Sequence, residues 1–358
     1  MTSSSTGTSF VKRGATKFPS IPGTQPSLYN FQLLTSTGIP SLDDVLNGGV
    51  ALGSVVLVRN EDSDDDVNDV EAVDYSRVFL KYFLGEGVAS GHGVYHGSTQ
   101  PNEGDFLKQL PEIVEAKEAK VDERRKAEDD HLQIAWRYKD SGQKGQTQAS
   151  SVPKHSFNLQ KSVQKDKLDA CSTLGQFSFD LDQSNNYRAL AGDLREVLRS
   201  NGQFVPDPKR SEAKNLLRIG ISQLERPSWS EKSDEQDRTQ LTAFLLALRS
   251  LMRNHLAVAI VTLTSDPKSE ESAFIDECVD YVINLRSFDT GSRQIFKDMH
   301  GFLNLKKVAS FNVLTPSVKP GKFIFKSLKT KFTIEKIHLP PDMTEEESAK
   351  PKKSDIDF

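Results

Sequence analysis

Cysteine is nearly absent from this sequence. Cys171 and Cys278 stand far apart, which rules out a disulfide framework or the clustered ligand spacing of a zinc site and suits a reducing compartment. No apolar run approaches the ~20 residues needed to span a membrane, and the N-terminus lacks the apolar core of a secretory signal. Acid is missing from the first 42 residues, where Ser and Thr abound and Lys12, Arg13 and Lys17 are the cations. That stretch reads as a disordered tail rather than as the organelle transit peptide that acid-poor, Ser-rich leaders also resemble. Strong charge of one sign is lacking too. A net charge of −4 over 358 residues does not mark the whole chain as a nucleic-acid or membrane binder, so charge has to be read segment by segment.

A further absence is local. The stretch "SVVLVRNEDSDDDVNDVEAVDYSRVFLKYFL", residues 54 to 84, has a buried strand at its start and a helix at its end. Between them, residues 59 to 74 contain no glycine and no lysine, and eight acids stand from Glu61 to Asp74. A phosphate-binding loop needs glycines so that consecutive N–H groups turn inward, a lysine for the outer phosphates, and a Ser or Thr hydroxyl for magnesium. Eight carboxylates repel a triphosphate at close range, by kilocalories per mole wherever water is excluded. The stretch also lacks the spacing and glycine of a calcium loop, so it reads as a solvated acidic loop.

What is present is an α/β pattern. "SLYNFQLLTSTGIPSLDDVLNGG" opens the ordered part, with Ser41 and Asp44 as a helix start and Leu42, Val45 and Leu46 as its apolar stripe. "ALGSVVLVRN" is a continuous apolar strand of the parallel-sheet kind. Tyr75, Val78, Phe79, Tyr82 and Phe83 recur at helical spacing, and Gly85 to Gly87 stop that helix. "GVYHGS" is the next strand, so strand, helix, strand predicts a right-handed crossover. Residues 112 to 130 are a mixed-charge stretch, and the acid-free residues 141 to 165 read as a disordered insertion. The island "HLQIAWRY" between them is expected to dock on the core. Further on come a helix at Tyr187 to Asn201, the strand "NLLRIGIS", an amphipathic helix carrying Leu241, Phe244, Leu245, Leu248 and Met252, and the strands "LAVAIVTLTS" and "CVDYVINL". "GFLNLKKV" and "FIFKSLKTKFTIEKIHL" form an antiparallel extension, with Leu328, Thr330, Phe332 and Ile334 on one face and Lys329, Lys331, Thr333 and Glu335 on the other.

The positions that would carry chemistry are empty of it. "LLRIGIS" runs into Ser222 and Gln223 where a magnesium-orienting acid belongs, and Glu103 comes late after "STQ". His92 and His96 lie four apart in a Gly-flanked strand with no third ligand near in sequence, so they read as ordinary strand residues rather than as metal ligands. No GxSxG elbow or Cys–His nucleophile pattern occurs. Lys329 and Lys331 suit either RNA phosphates or a solubilising strand face. Arg249 and Arg253 are candidate interface ion-pair partners.

Two resemblances attach to these residues. "STGIPSLDDVLNGGVALGSVVLV" resembles the opening of RecA-like ATPase domains. "FLKYFLGEGVASGHGVYHGS", "LQIAWRY", "FSFDL", "CVDYVINLRSF", "DMHGFLNLKKV" and "KTKFTIEKIHLPP" resemble, in order over residues 27 to 341, the family of the fourth subunit of the Elongator complex. The linker from 139 to 170 carries no motif, and "LERPSW" echoes the family only loosely. The resemblance implies an α/β, RecA-like fold: a mostly parallel central sheet flanked by helices, an antiparallel C-terminal extension and a degenerate phosphate loop. A disordered tail would cover residues 1–26, the RecA-like domain 27–339 with its insertion at about 112–170, and a polar tail 340–358.

The implied role is non-catalytic: a subunit of a hexameric ring with the fifth and sixth Elongator subunits. That ring binds tRNA and serves the catalytic subcomplex that modifies wobble uridine at carbon 5, in cytoplasm and nucleus. No cofactor, metal or nucleotide site and no membrane is implied. By analogy with RecA-like rings, tRNA contact falls on the loops 223 to 240 and 265 to 274, whose cations are Arg226, Lys232, Arg238 and Lys268, or on Lys329 and Lys331. Two alternatives remain: an ATPase whose site is shared between subunits, and a stand-alone RNA-binding module using the basic insertion with Lys329 and Lys331.

Overall fold

The computed structural model describes residues 21–27, 29–61, 74–98, 106–114, 155–171, 173–178, 186–206, 214–224, 234–265, 267–288, 298–316, 318–328 and 331–336. Along the chain these form β1 (Thr24–Pro26), β2 (Leu33–Thr35), α1 (Pro40–Val45), β3 (Val50–Ala51), β4 (Val55–Asn60), α2 (Tyr75–Ala89) and β5 (Gly93–Ser98). Then come β6 (Pro111–Val114), β7 (Ser156–Ser162), α3 (Lys165–Asp169), β8 (Leu174–Ser178), α4 (Asn186–Ser200), β9 (Leu217–Ser222) and α5 (Asp234–Arg253). The chain closes with β10 (Ala257–Thr264), α6 (Glu270–Cys278), β11 (Tyr281–Ser287), β12 (Gly301–Lys307), β13 (Gly321–Ser327) and β14 (Phe332–Lys336).

The main sheet has nine strands in the order β14-β13-β12-β11-β4-β10-β9-β5-β8. From β11 to β8 every pairing is parallel, and β12, β13 and β14 add antiparallel strands on the β11 side. This is the expected α/β arrangement, a mostly parallel central sheet with an antiparallel extension. Parallel strands need both faces covered, and their sequences are accordingly apolar throughout. Alternate residues of β4 feed two separate cores. Val56 and Val58 join Phe79, Leu80, Phe83 and Leu84 of α2 on one face, while Val55 and Leu57 join Leu190 and Leu194 of α4 and Phe244, Leu245 and Leu248 of α5 on the other. Smaller sheets β1-β2-β3 and β6-β7 lie beside the main one.

Several local expectations need correction. Residues 85 to 87 do not end α2, which continues to Ala89. These glycines mark close approach instead: a Cβ on Gly85 would lie 3.2 Å from Pro111, and one on Gly87 2.8 Å from Arg218. Ser41 does not cap α1, which starts on Pro40 after the extended Ile39; the Ser41 hydroxyl instead accepts the N–H of Ile334 in β14. Cys278 ends helix α6 rather than opening a strand. Leu328 is exposed in the β13–β14 turn, whereas Phe332 and Ile334 are buried as expected. Part of the supposed disordered insertion is ordered, since β7 pairs with β6 and α3 follows it. Order also begins before residue 27, because β1 pairs with β2. "HLQIAWRY" lies outside the described residues.

Arg249 and Arg253 form ion pairs within the chain. Both reach the buried carboxylate of Asp280, at 3.0 and 2.6 Å, and Asp280 also accepts the N–H of Val55 at 2.9 Å. That carboxylate fixes the start of the central strand to the end of α5 and the start of β11.

Gly38 tests how tightly the β2–α1 turn is held against α2. Its φ is +84°, and an added Cβ would sit 2.3 Å from the Tyr82 carbonyl oxygen. Gly192 on α4 has open space around it. Gly38→Ala is expected to destabilise by about 2 kcal/mol or more, and Gly192→Ala to stabilise by about 0.5–1 kcal/mol. Urea unfolding of the two variants checks both signs.

Candidate phosphate site

A phosphate in this fold would meet the chain where β4 ends and α2 begins, because a helix N-terminus offers unpaired N–H groups and the positive end of its dipole. Here that position is held from within. Asp74 is the N-cap of α2, and its Oδ1 accepts the N–H of Arg77 at 3.1 Å. The same oxygen accepts the Ser76 hydroxyl at 2.6 Å and the Asn60 side-chain amide at 2.6 Å. Asp74 therefore does not belong to a solvated acidic loop. Its carboxylate sits where an external anion would bind, and its negative charge opposes one. The residues from 62 to 73 lie outside the described ones.

Arg59 is the one cation on β4, and it faces the other way. It is fully buried on the side of α5 and α6. Its Nη2 meets Asp276 at 2.7 Å, Nη1 donates to Asn284 at 3.3 Å, and Nε donates to Ser265 at 3.0 Å. Asp276 takes Lys306 on its other oxygen at 2.7 Å. A guanidinium held in this way cannot swing through the sheet to serve a phosphate at α2.

The neighbouring strand ends carry no acid among the described residues. β9 ends in buried Ser222, whose hydroxyl lies 3.2 Å from His96 Nε2, and Gln223 follows with φ +49° and donates its N–H to Thr262. β5 ends in buried Ser98; Glu103 lies outside the described residues. His96 stacks on Phe106 at 4.1 Å, and His92 donates from Nε2 to the Pro22 carbonyl at 2.7 Å, so the two serve separate contacts. Among the described residues, no group of three His, Cys, Asp or Glu side chains is disposed to hold a metal ion.

Charge is concentrated instead in the core between α2, β2 and β9. Arg218 is fully buried. It donates to Ser36 O at 2.8 Å, Phe83 O at 3.1 Å, Thr35 Oγ1 at 2.7 Å and His92 Nδ1 at 3.0 Å. Burial pulls its pKa down to about 10, against the pull of Glu86 and Asp43, so it stays charged at neutral pH. Burial, then the Arg218 charge, lowers His92 to about 3. Asp43, at the other end of the cluster, accepts from Ser36 Oγ and from both the N–H and hydroxyl of Thr37. Burial outweighs those bonds and raises it to about 6. The sequence signal for this network was an arginine inside "NLLRIGIS" and a glutamate inside the apolar face of α2.

Two of the candidate tRNA-contacting residues, Lys268 and Lys331, fall at one end of the main sheet. Thr264, Asn60 and Leu285 are in register at the carboxyl ends of β10, β4 and β11, and exposed Lys268 follows β10. Ser287, Gly301 and Phe325 are in register, so the β13–β14 turn carrying exposed Lys331 projects from that same end. Four strand spacings separate β13 from β10, roughly 19 Å. Arg238 lies in the first turns of α5, while Arg226, Lys232 and Lys329 lie outside the described residues.

Comparison with known proteins gives one consistent result. A family model described as PAXNEB protein matches residues 17–358. The chain is 30% identical to Elongator complex protein 4 of Xenopus laevis over 95% of this chain and 88% of that protein. It is 31% identical to the Danio rerio protein of the same name, over 94% and 89%, and 24% identical to that of Schizosaccharomyces pombe, over 92% and 91%. Among solved structures, a KaiC-like protein, PH0186, from Pyrococcus horikoshii OT3 is similar with a TM-score of 0.44 and 12% identity, over 84% of this chain and 98% of that one.

Asp43 gives the site a pH signature. A carboxyl whose folded pKa is raised from 3.8 to about 6 holds its proton longer when folded. It therefore favours the fold below pH 4, and this contribution is lost as pH rises to about 6. In Asp43→Asn that loss should vanish. Urea unfolding at pH 4.5 and pH 7 should show wild type falling relative to the variant by about 2 kcal/mol.

Proposed function

The chain belongs to the PAXNEB protein family, and with it to the Elongator complex, which modifies tRNA; from that premise we propose that it is a non-catalytic RecA-like subunit of that complex. In this reading it joins the fifth and sixth subunits in a hexameric ring. The ring holds tRNA for the catalytic subcomplex that modifies wobble uridine at carbon 5, in cytoplasm and nucleus. One observation carries the non-catalytic part: the N-terminus of α2 is capped by the protein's own Asp74 carboxylate. Catalysis by such a fold requires the triphosphate at that point. A subunit retained for its contacts can lose the glycines and lysine of the loop and fill the place with an acid.

Purified single chain is expected to show no ATP or GTP turnover. Turnover that disappears on changes within residues 59 to 74 would overturn the reading, and so would a stable monomer that ignores the fifth and sixth subunits.

The tRNA surface follows from position and charge. Lys268 and Lys331 share the carboxyl end of the sheet, and Arg238 stands early in the helix that follows β9; Arg226, Lys232 and Lys329 are proposed with them from their place in the sequence. Lysine and arginine release counterions when they pair with phosphates, so removing one such cation should flatten the salt dependence by about one unit of slope. Neutralising Arg226, Lys232, Arg238 and Lys268 in the assembled ring should weaken tRNA binding and reduce that slope. Neutralising the acids between Asp62 and Asp69 should leave binding unchanged or slightly tighter. An unchanged slope in the first variant, with binding abolished on neutralising Lys329 and Lys331 alone, moves the surface to the β13–β14 hairpin.

A further inference from the structure

Strands β6 and β7 form a two-stranded strap across the outer side of α2. It is seated by Phe157, which is buried and packs edge-on against Tyr82 at 5.8 Å, and by Pro111 against the bare backbone of Gly85. The N–H of Val163 donates to Leu110 O at 2.7 Å and closes the far end. The near end, where Val114 pairs with Ser156, is held differently. His155 is partly exposed, and its Nδ1 lies 2.9 Å from Oε1 of Glu86, a residue of α2 that is 1% exposed.

Glu86 is unusual in what surrounds it. Its Oε1 also accepts the Ser90 hydroxyl at 3.2 Å, while its Oε2 is buried with no hydrogen-bond partner among the described residues. Arg218 of β9 is close enough to act electrostatically, but its donors go to Thr35, Ser36, Phe83 and His92. Asp43 of α1 faces Glu86 with like charge, and His92, just before β5, is uncharged near neutrality. On the strap, Lys161 is turned outward to Glu112 at 3.6 Å. Thus, among the described residues, the cation that hydrogen-bonds to this buried carboxylate comes from the strap itself.

We propose that the β6–β7 strap is a proton-dependent latch, docked on α2 while the His155 imidazolium pairs with Glu86 and loosened when His155 gives up its proton. A hydrogen bond between ionised partners is about twice as strong as one to a neutral ring, and the alternative leaves a buried carboxylate without its charged partner. The hydrogen bond to Glu86 raises the pKa of His155 above its usual 6.5 against the opposing effect of burial. A group raised in the folded state stabilises fully below its unfolded value and loses that contribution as pH climbs through the folded one. The latch is closed near pH 6 and loosens at pH above 6.5. Asp43 titrates near 6, so it has to be separated from His155 by variation.

Amide hydrogen exchange on the full-length chain, in the assembly with which it purifies, tests this. After correction for intrinsic rates, protection in 106–114 and 155–163 should fall on the order of tenfold between pH 6 and pH 8, the change that a bond between charged groups supports in a local opening equilibrium. Asp43→Asn should keep this slope, and His155→Gln should be flat and weakly protected at both pH values, while β4 and β10 stay protected in each. A flat wild type, or a slope that survives in His155→Gln, overturns the latch; a slope lost only in Asp43→Asn assigns the proton to Asp43 and overturns it equally. Should His155→Gln fail to fold, direct NMR titration of the wild-type imidazole decides: a pKa at or below 6.5 sinks the proposal.

Discussion

A fully buried arginine constrains everything around it. Removing one partner of a buried charge costs about 3–5 kcal/mol, so Arg218 can be tolerated only where the chain delivers enough acceptors to one point. Here they come from four segments: β2 through Thr35, the turn after it through Ser36, α2 through Phe83, and the entry to β5 through His92. The turn must hold Thr37 and Gly38 against α2, and α2 must present a glycine where the Arg218 stem passes. The turn before β1 is drawn in as well, since His92 can accept from Arg218 on Nδ1 only while its Nε2 donates to Pro22. One cation thus organises the N-terminal third of the described chain.

The same logic applies at the N-terminus of α2. A helix N-terminus must be satisfied by something, and Asp74 does it with a side chain that also ties Asn60 and Ser76 together. Arg59 and Asp276 settle the opposite face. β4 is the middle of the sheet and feeds two cores, and the groups at its end are tied up in internal bonds.

Much of the frame was legible in the sequence because apolar strands and amphipathic helices advertise themselves through period and composition. β4, β9, β10, α4 and α5 lie where their patterns put them. The misses share a physical cause. Gly85 and Gly87 looked like a helix end, since propensity speaks only of the local chain, yet Pro111 and Arg218 approach them from far away in sequence. In β7 only Phe157 is buried, so the strand has no alternation to read. α6 carried its cap in plain view, with Ser269 accepting the N–H of Ser272 and Glu270 and Glu271 in the first turn, but its short length made it look like a loop. The buried network was half visible: charges inside apolar runs could be seen, whereas the partner of Arg218 at Ser36 is 182 residues distant.

The strand order also sets a schedule for making the protein. β4 emerges early from the ribosome, yet its neighbours on either side are β10 and β11; Arg59 finds Ser265 only 206 residues later, and Val55 finds Asp280 after 225. Until then this apolar strand lacks both of its neighbours in the sheet. Long-range parallel pairing of this kind is slow and leaves hydrophobic edges open to association during synthesis. The N-terminal half therefore depends on being shielded while the C-terminal half is translated, and a chain cut short before β11 would lack one of the two strands that bracket its centre.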